Sequence, residues 1–177
     1  MMKKALFLLG TCLLTTACST TSYKSTTTTA TSELKTAGQL NCLPTELCPS
    51  LLVKWNEKQK NQVRVDVHLS SSYNFYDINS LVFDIDGKQF SYNPAQATEK
   101  TTVSRFVPKH STTYFIIPSQ FLQEFKNAKN INVLVKTDKG IIERNMYSPQ
   151  KQSSVYKNFL CTRQISQNPY PIRVLPS

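Results

Sequence analysis

Between residues 63 and 69 the chain reads "VRVDVHL", with Val63, Val65, Val67 and Leu69 alternating with Arg64, Asp66 and His68. A period of two sends successive side chains to opposite faces, so the segment predicts an antiparallel strand with one buried and one wet face. "LVFDIDGKQFSY" predicts a hairpin, because Asp86-Gly87 suits a two-residue turn that needs positive φ. That turn sets Ile85 against Lys88, Phe83 against Phe90 and Leu81 against Tyr92, so the larger apolar groups share a face.

"TTVSRFV" and "TTYFII" predict further strands. Pro118-Ser119 then opens a short helix, with Ser119 as its expected N-cap and Phe121, Leu122, Phe125 and Ala128 on one side. "INVLVKTDKGIIERNMY" reads as a second hairpin around Asp138-Lys139-Gly140, with its register left open. A closing helix from about Gln152 to Arg163 would bury Val155, Tyr156, Phe159 and Leu160. The expected fold is mainly β (α+β), a small antiparallel β-sandwich or barrel with one or two short helices. Its domain spans residues 41–164, and an extended tail with Pro169, Pro171 and Pro176 follows from Ile165.

The first 17 residues follow another pattern. Lys3 and Lys4 precede a ten-residue apolar run from Ala5 to Leu14, and Thr15, Thr16 and Ala17 follow. A charged start, a short apolar centre and small residues describe a secretory signal peptide, too short to span a bilayer core of about 30 Å.

Leu14-Thr15-Thr16-Ala17-Cys18 resembles the lipobox of bacterial lipoproteins, departing from it in having Thr15 where Leu is usual. The resemblance implies cleavage before Cys18, diacylation of its sulfur and acylation of the new N-terminus. Each buried CH₂ contributes roughly 0.8 kcal/mol, so two or three such chains, palmitate among them, hold a protein firmly on a membrane. Ser19 stands where the class carries Asp as its inner-membrane retention signal, which by this resemblance favours the outer membrane; the periplasmic face is expected separately. The layout of strands, hairpin, helix, hairpin and closing helix is also similar to that of many small envelope lipoproteins.

Residues 19–40 contain twelve Ser or Thr and few large apolar groups, so residues 18–40 read as a lipidated Cys and a disordered tether. Flexible-chain statistics place its ends roughly 25 Å apart. Without residues 1–17 the chain keeps 21 − 2 = 19 basic and 11 acidic side chains, a formal +8. Such a charge either favours an anionic envelope component or acidic protein, or is dispersed and serves solubility. The export signal and the lack of a recognition motif argue against nucleic acid.

Cys42, Cys48 and Cys161 remain in the mature part, and an oxidising compartment makes a disulfide the default. Cys42 and Cys48 could close a small loop around Pro44, or one of them could staple to Cys161, a longer loop with a larger entropic effect. The expectation leans to Cys161. A zinc site is the weaker reading, since only His68 and His110 could complete a set.

No nucleophile elbow, glycine-rich phosphate loop or paired-histidine metal motif is present, so no catalytic residue, metal or cofactor is expected. His68 is expected to be solvated on the polar face of its strand, and His110, in "PKHST", to lie in a loop. Asp84 and Asp86 read as solvent-facing carboxylates near a turn. "SSSYNFYDINS" is more suggestive, because Tyr73, Phe75 and Tyr76 sit in a Ser/Asn-rich connection between strands. Aromatic groups among small polar neighbours make adaptable contact surfaces; the alternative is that Phe75 or Tyr76 caps the core. The functional expectation is a membrane-anchored, non-enzymatic binding or assembly protein of the cell envelope. The alternatives are an inhibitor of a hydrolase and an envelope enzyme with an unrecognised thiol site.

Overall fold

The alternating segment at residues 63–69 forms the centre of a ten-residue strand, with Val63, Val65, Val67 and Leu69 fully buried. A computed structural model describes residues 33–102 and 108–167. Its strands are β1 (Glu33–Gln39), β2 (Ser50–Asn56), β3 (Gln62–Ser71), β4 (Ile78–Ile85) and β5 (Lys88–Tyr92). They continue as β6 (Glu99–Thr101), β7 (Lys109–Pro118), β8 (Ile131–Thr137), β9 (Gly140–Ser148) and β10 (Lys151–Gln152). A 3-10 helix at Ser119–Asn127 joins β7 to β8, and helix α1 (Ser154–Gln167) follows β10.

The strands pair antiparallel in two sheets, ordered β1-β2-β3-β7-β6 and β10-β9-β8-β4-β5. The sheets do not close on each other, so the architecture is a small β-sandwich rather than a barrel. Leu51, Val53, Trp55, Phe115 and Ile117 join the β3 apolar row on one inner face. Leu81, Phe83, Ile85, Ile131, Val133, Val135 and Met146 supply the other. Removing one such side chain from water contributes about 1.5–3 kcal/mol. Phe121, Leu122 and Phe125 of the 3-10 helix and Val155, Tyr156 and Phe159 of α1 complete the core. Phe83 is its aromatic hub, with the rings of Tyr92, Phe121, Phe125 and Phe159 centred 5.0 to 6.2 Å from its own.

The first hairpin has the expected register, with Ile85 opposite Lys88, Phe83 opposite Phe90 and Leu81 opposite Tyr92. Asp86 and Gly87 both take positive φ, 51° and 88°. The second hairpin sets Thr137 against Gly140, leaving Asp138 and Lys139 in the turn and Gly140 at φ 119°.

Four boundaries differ from the sequence expectation. Residues 33–39, expected to belong to a disordered tether, instead form β1, which pairs along the whole of β2; the earlier part of the expected tether lies outside the described residues. The domain therefore begins before residue 41. Backbone pairing needs no apolar side chain, and α1 supplies the packing: Gln39 N–H donates to Ser154 Oγ at 2.9 Å, and that hydroxyl donates back to the Gln39 carbonyl at 3.3 Å.

Ser119 is not the N-cap of its helix. Pro118 holds that position, and the Ser119 N–H donates instead to the Asn61 carbonyl at 2.8 Å, so the β2–β3 turn satisfies it. The closing helix starts at Ser154 rather than Gln152, which pairs with Tyr147 in β10. Ser153 caps α1, its Oγ accepting from Tyr156 N–H at 3.1 Å. At the other end α1 continues to Gln167, so the expected boundary at 164 and the extended tail from Ile165 move outward. The prolines of that tail, Cys18 and most of "TTVSRFV" lie outside the described residues.

Candidate functional site

The two ends of the sandwich differ. The chain enters the first sheet at Glu33, opposite Asn56, at the end where Gln62 faces Pro118. β3 then runs to Ser71, opposite Lys109, and residues 72–77 cross to β4 beyond that far end. Ten strand residues at about 3.3 Å each separate the two ends by roughly 30 Å.

Of the three aromatic residues of this crossing, Tyr73 is 82% exposed, while Phe75 and Tyr76 are half-buried. Tyr76 packs against the core and its N–H donates to the buried Ser111 Oγ at 2.9 Å, so it is the residue that caps the sandwich. Lys109 holds the other two: its Nζ donates to the Tyr73 carbonyl at 2.8 Å and stands 5.4 Å from the centre of the Phe75 ring. The Ser71 hydroxyl lies 3.3 Å from both the Tyr73 and Asn74 amide nitrogens, each of which can donate to it, fixing the start of the turn. Asp77 N–H donates to Asp138 Oδ1 at 2.8 Å, and Lys100 Nζ pairs with Asp77 Oδ1 at 2.7 Å. The Asp77 N–H and the Lys139 ammonium hold the Asp138 carboxyl below its ordinary pKa. A shaped, polar-braced end therefore presents one exposed tyrosine.

The same end carries the outer face of β3 and β7. His110 lies on β7 rather than in a loop, and His68 is half-buried rather than solvated. The pairing of Ser70 with His110 and of His68 with Thr112 makes the imidazoles diagonal neighbours. His68 Nε2 and His110 Nδ1 are 2.9 Å apart, one donating N–H to the other, and the rings stack at 23° with centroids 4.9 Å apart. Burial, and then the charge of His110, lower the His68 pKa from its ordinary value. Further along this face, Lys54 opposes Arg64, a like-charge pair that Asp66 reconciles by contacting each at 2.5 Å. The Arg64 guanidinium carbon lies 3.7 Å from the centre of the Tyr114 ring.

Other candidate residues are structural. Cys42 and Cys48 form a disulfide with Cα atoms 5.8 Å apart, so the expected bond from one of them to Cys161 is corrected. Six positions of separation and the turn at Pro44 bring the two together locally. Cys161 belongs to α1, in its part where side chains fall outside the description. Asp84 accepts from Gly87 N–H at 2.9 Å. Asp86 does more than face solvent: it accepts from the N–H groups of Lys129 and Asn130, which lower its pKa and tie the hairpin to the start of β8. Among the described residues, no group of three or more His, Cys, Asp or Glu side chains is arranged to hold a metal ion.

Sequence reasoning found the Tyr73 segment through its composition and missed the histidine pair. Only the alternation placing His68 on an outer face was visible; the partner strand was not. No protein-family model, curated protein or solved structure matches the chain.

Proposed function

We propose that the chain is a lipid-anchored protein of the bacterial cell envelope whose domain is a non-enzymatic binding module. It presents the residue 72–77 end to a protein or an anionic envelope component. Cys18 is the anchor, the Ser/Thr-rich segment after it is the leash, and the outer membrane is the surface to which it is tied.

One observation carries this reading. The first described strand starts at Glu33 at one end of the sheet, while Tyr73 stands at the opposite end, roughly 30 Å away. An anchored domain can therefore offer Tyr73 without turning toward the lipid. The Tyr73 backbone is already held by Lys109, so binding through this residue has only the ring left to order. A thiol enzyme is the poorer reading, because the disulfide consumes two of the three cysteines beyond the anchor.

Site-specific photo-crosslinking in the native envelope tests the proposal, with the probe at Tyr73 and controls at Thr28 and Lys60. A discrete adduct specific to position 73 supports it. Equal adducts at all three positions, or adducts with lipid alone, overturn it. The anchor is tested separately by Cys18→Ser, which should abolish labelling by palmitate and release the protein from the membrane fraction. Retention of both in that variant would dismiss the lipidated cysteine.

A further inference from the structure

His68 and His110 are the only two histidines in the 177 residues, and pairing of β3 with β7 brings them into contact across 42 positions. Residues directly opposite on one face of an antiparallel pair have Cβ atoms about 4.5–5.5 Å apart. By register, Ser50 and Thr112 flank His68, while Ser70 and Thr101 flank His110. Four short hydroxyl side chains therefore surround the imidazoles on the outer face. The nearest carboxylates in register are Glu99, opposite Thr112, and Asp66, already engaged by Lys54 and Arg64.

We infer that this pair is a two-histidine site for a divalent first-row transition metal, with His68 Nε2 and His110 Nδ1 as the protein ligands. Solvent or a donor group of a partner fills the remaining positions. The 2.9 Å separation is that of the hydrogen bond the rings share, and two nitrogens bound to one ion at about 2.0–2.1 Å lie about 2.9 to 3.3 Å apart, so one ion reaches both with little movement of either ring. Copper(II) forms the strongest complexes in the divalent series and is therefore the ion expected to bind best. On binding, the hydrogen shared between the rings transfers through solvent to the second nitrogen of the ring that donated it, so both imidazoles stay neutral and no electron moves. The second ring acts at high effective concentration once the first is bound, so losing either ring should weaken binding sharply.

Copper(II) titration of the mature chain at pH 7.5 tests the site by electron paramagnetic resonance and calorimetry, with His68→Ala and His110→Ala as separate variants. Expected are one equivalent bound, hyperfine structure from two imidazole nitrogens, and at least about tenfold weaker binding in each variant. Proton resonances give a readout that needs no variant, because the chain has only two imidazoles to observe. Both should broaden together at substoichiometric copper(II). Broadening of one ring alone, affinity equal in wild type and both variants, zinc bound more tightly than copper, or no binding in the micromolar range would each overturn the inference.

Discussion

Gly38 of β1 lies against the start of α1 so closely that a Cβ at position 38 would meet the Val155 amide nitrogen at 2.7 Å. The Ser154 carbonyl carbon and Asn158 Nδ2 would each be 2.9 Å away. Two of the three atoms are backbone and cannot rotate aside. Gly38→Ala should therefore destabilise the domain by roughly 1–3 kcal/mol, as overpacking does. Urea unfolding checks this, and an unchanged midpoint would mean that β1 is not seated under the helix.

The Cys42–Cys48 bond closes a short loop, so its effect on the unfolded chain is at the low end for disulfides. Replacing both cysteines with alanine should lower stability by roughly 2 kcal/mol. A non-reduced digest should contain a fragment in which Cys48 is joined to Cys42. A fragment joining either of them to Cys161 would refute the pairing.

Phe83 touches four aromatic rings from both helices and the neighbouring strand and is fully buried. Phe83→Ala should cost about 3–5 kcal/mol in thermal or chemical unfolding, with Phe83→Leu losing less because most of the volume is kept.

Asp86 sets an acid-side dependence whose sign follows from its lowered pKa. The charged carboxylate, bonded to two backbone N–H groups, is the stabilising form. Its contribution is present above the ordinary value of 3.8 and is lost as pH falls through the lower folded-state value. The stability gap between wild type and Asp86→Asn should be widest at neutral pH and close below that range. Parallel melting curves from pH 7 down to about pH 2 measure it.

Tyr73 is 82% exposed, so its removal leaves no cavity. Tyr73→Ala should keep the melting temperature within about 1 °C while reducing partner capture in the envelope crosslinking assay. A clear drop in melting temperature would instead make Tyr73 part of the fold.

Much of this molecule was legible locally. Val63, Val65, Val67 and Leu69 alternate because a strand with one buried face must alternate, and that period is written in consecutive residues. The first hairpin was legible to its register, because a two-residue turn at Asp86-Gly87 leaves one way to pair Ile85 with Lys88. Gly140 marked the second turn for the same conformational reason. The aromatic crossing around Tyr73 was visible as composition, though not which ring would turn inward.

What composition hid was decided by contact at a distance. Glu33–Gln39 has too few apolar groups to signal a strand, and becomes one because the edge of β2 offers unpaired backbone groups and α1 closes over it at Gly38. His110 becomes half of a pair only when β7 takes its place beside β3, with a register held by packing of Phe115 and Ile117 in the core. Periodicity and turn chemistry act over a few residues, so the sequence alone determined the alternating strands and the two glycine-bearing turns. Which strands meet, and therefore which side chains meet across them, depends on burying apolar faces from distant segments together, and only the tertiary structure decides that.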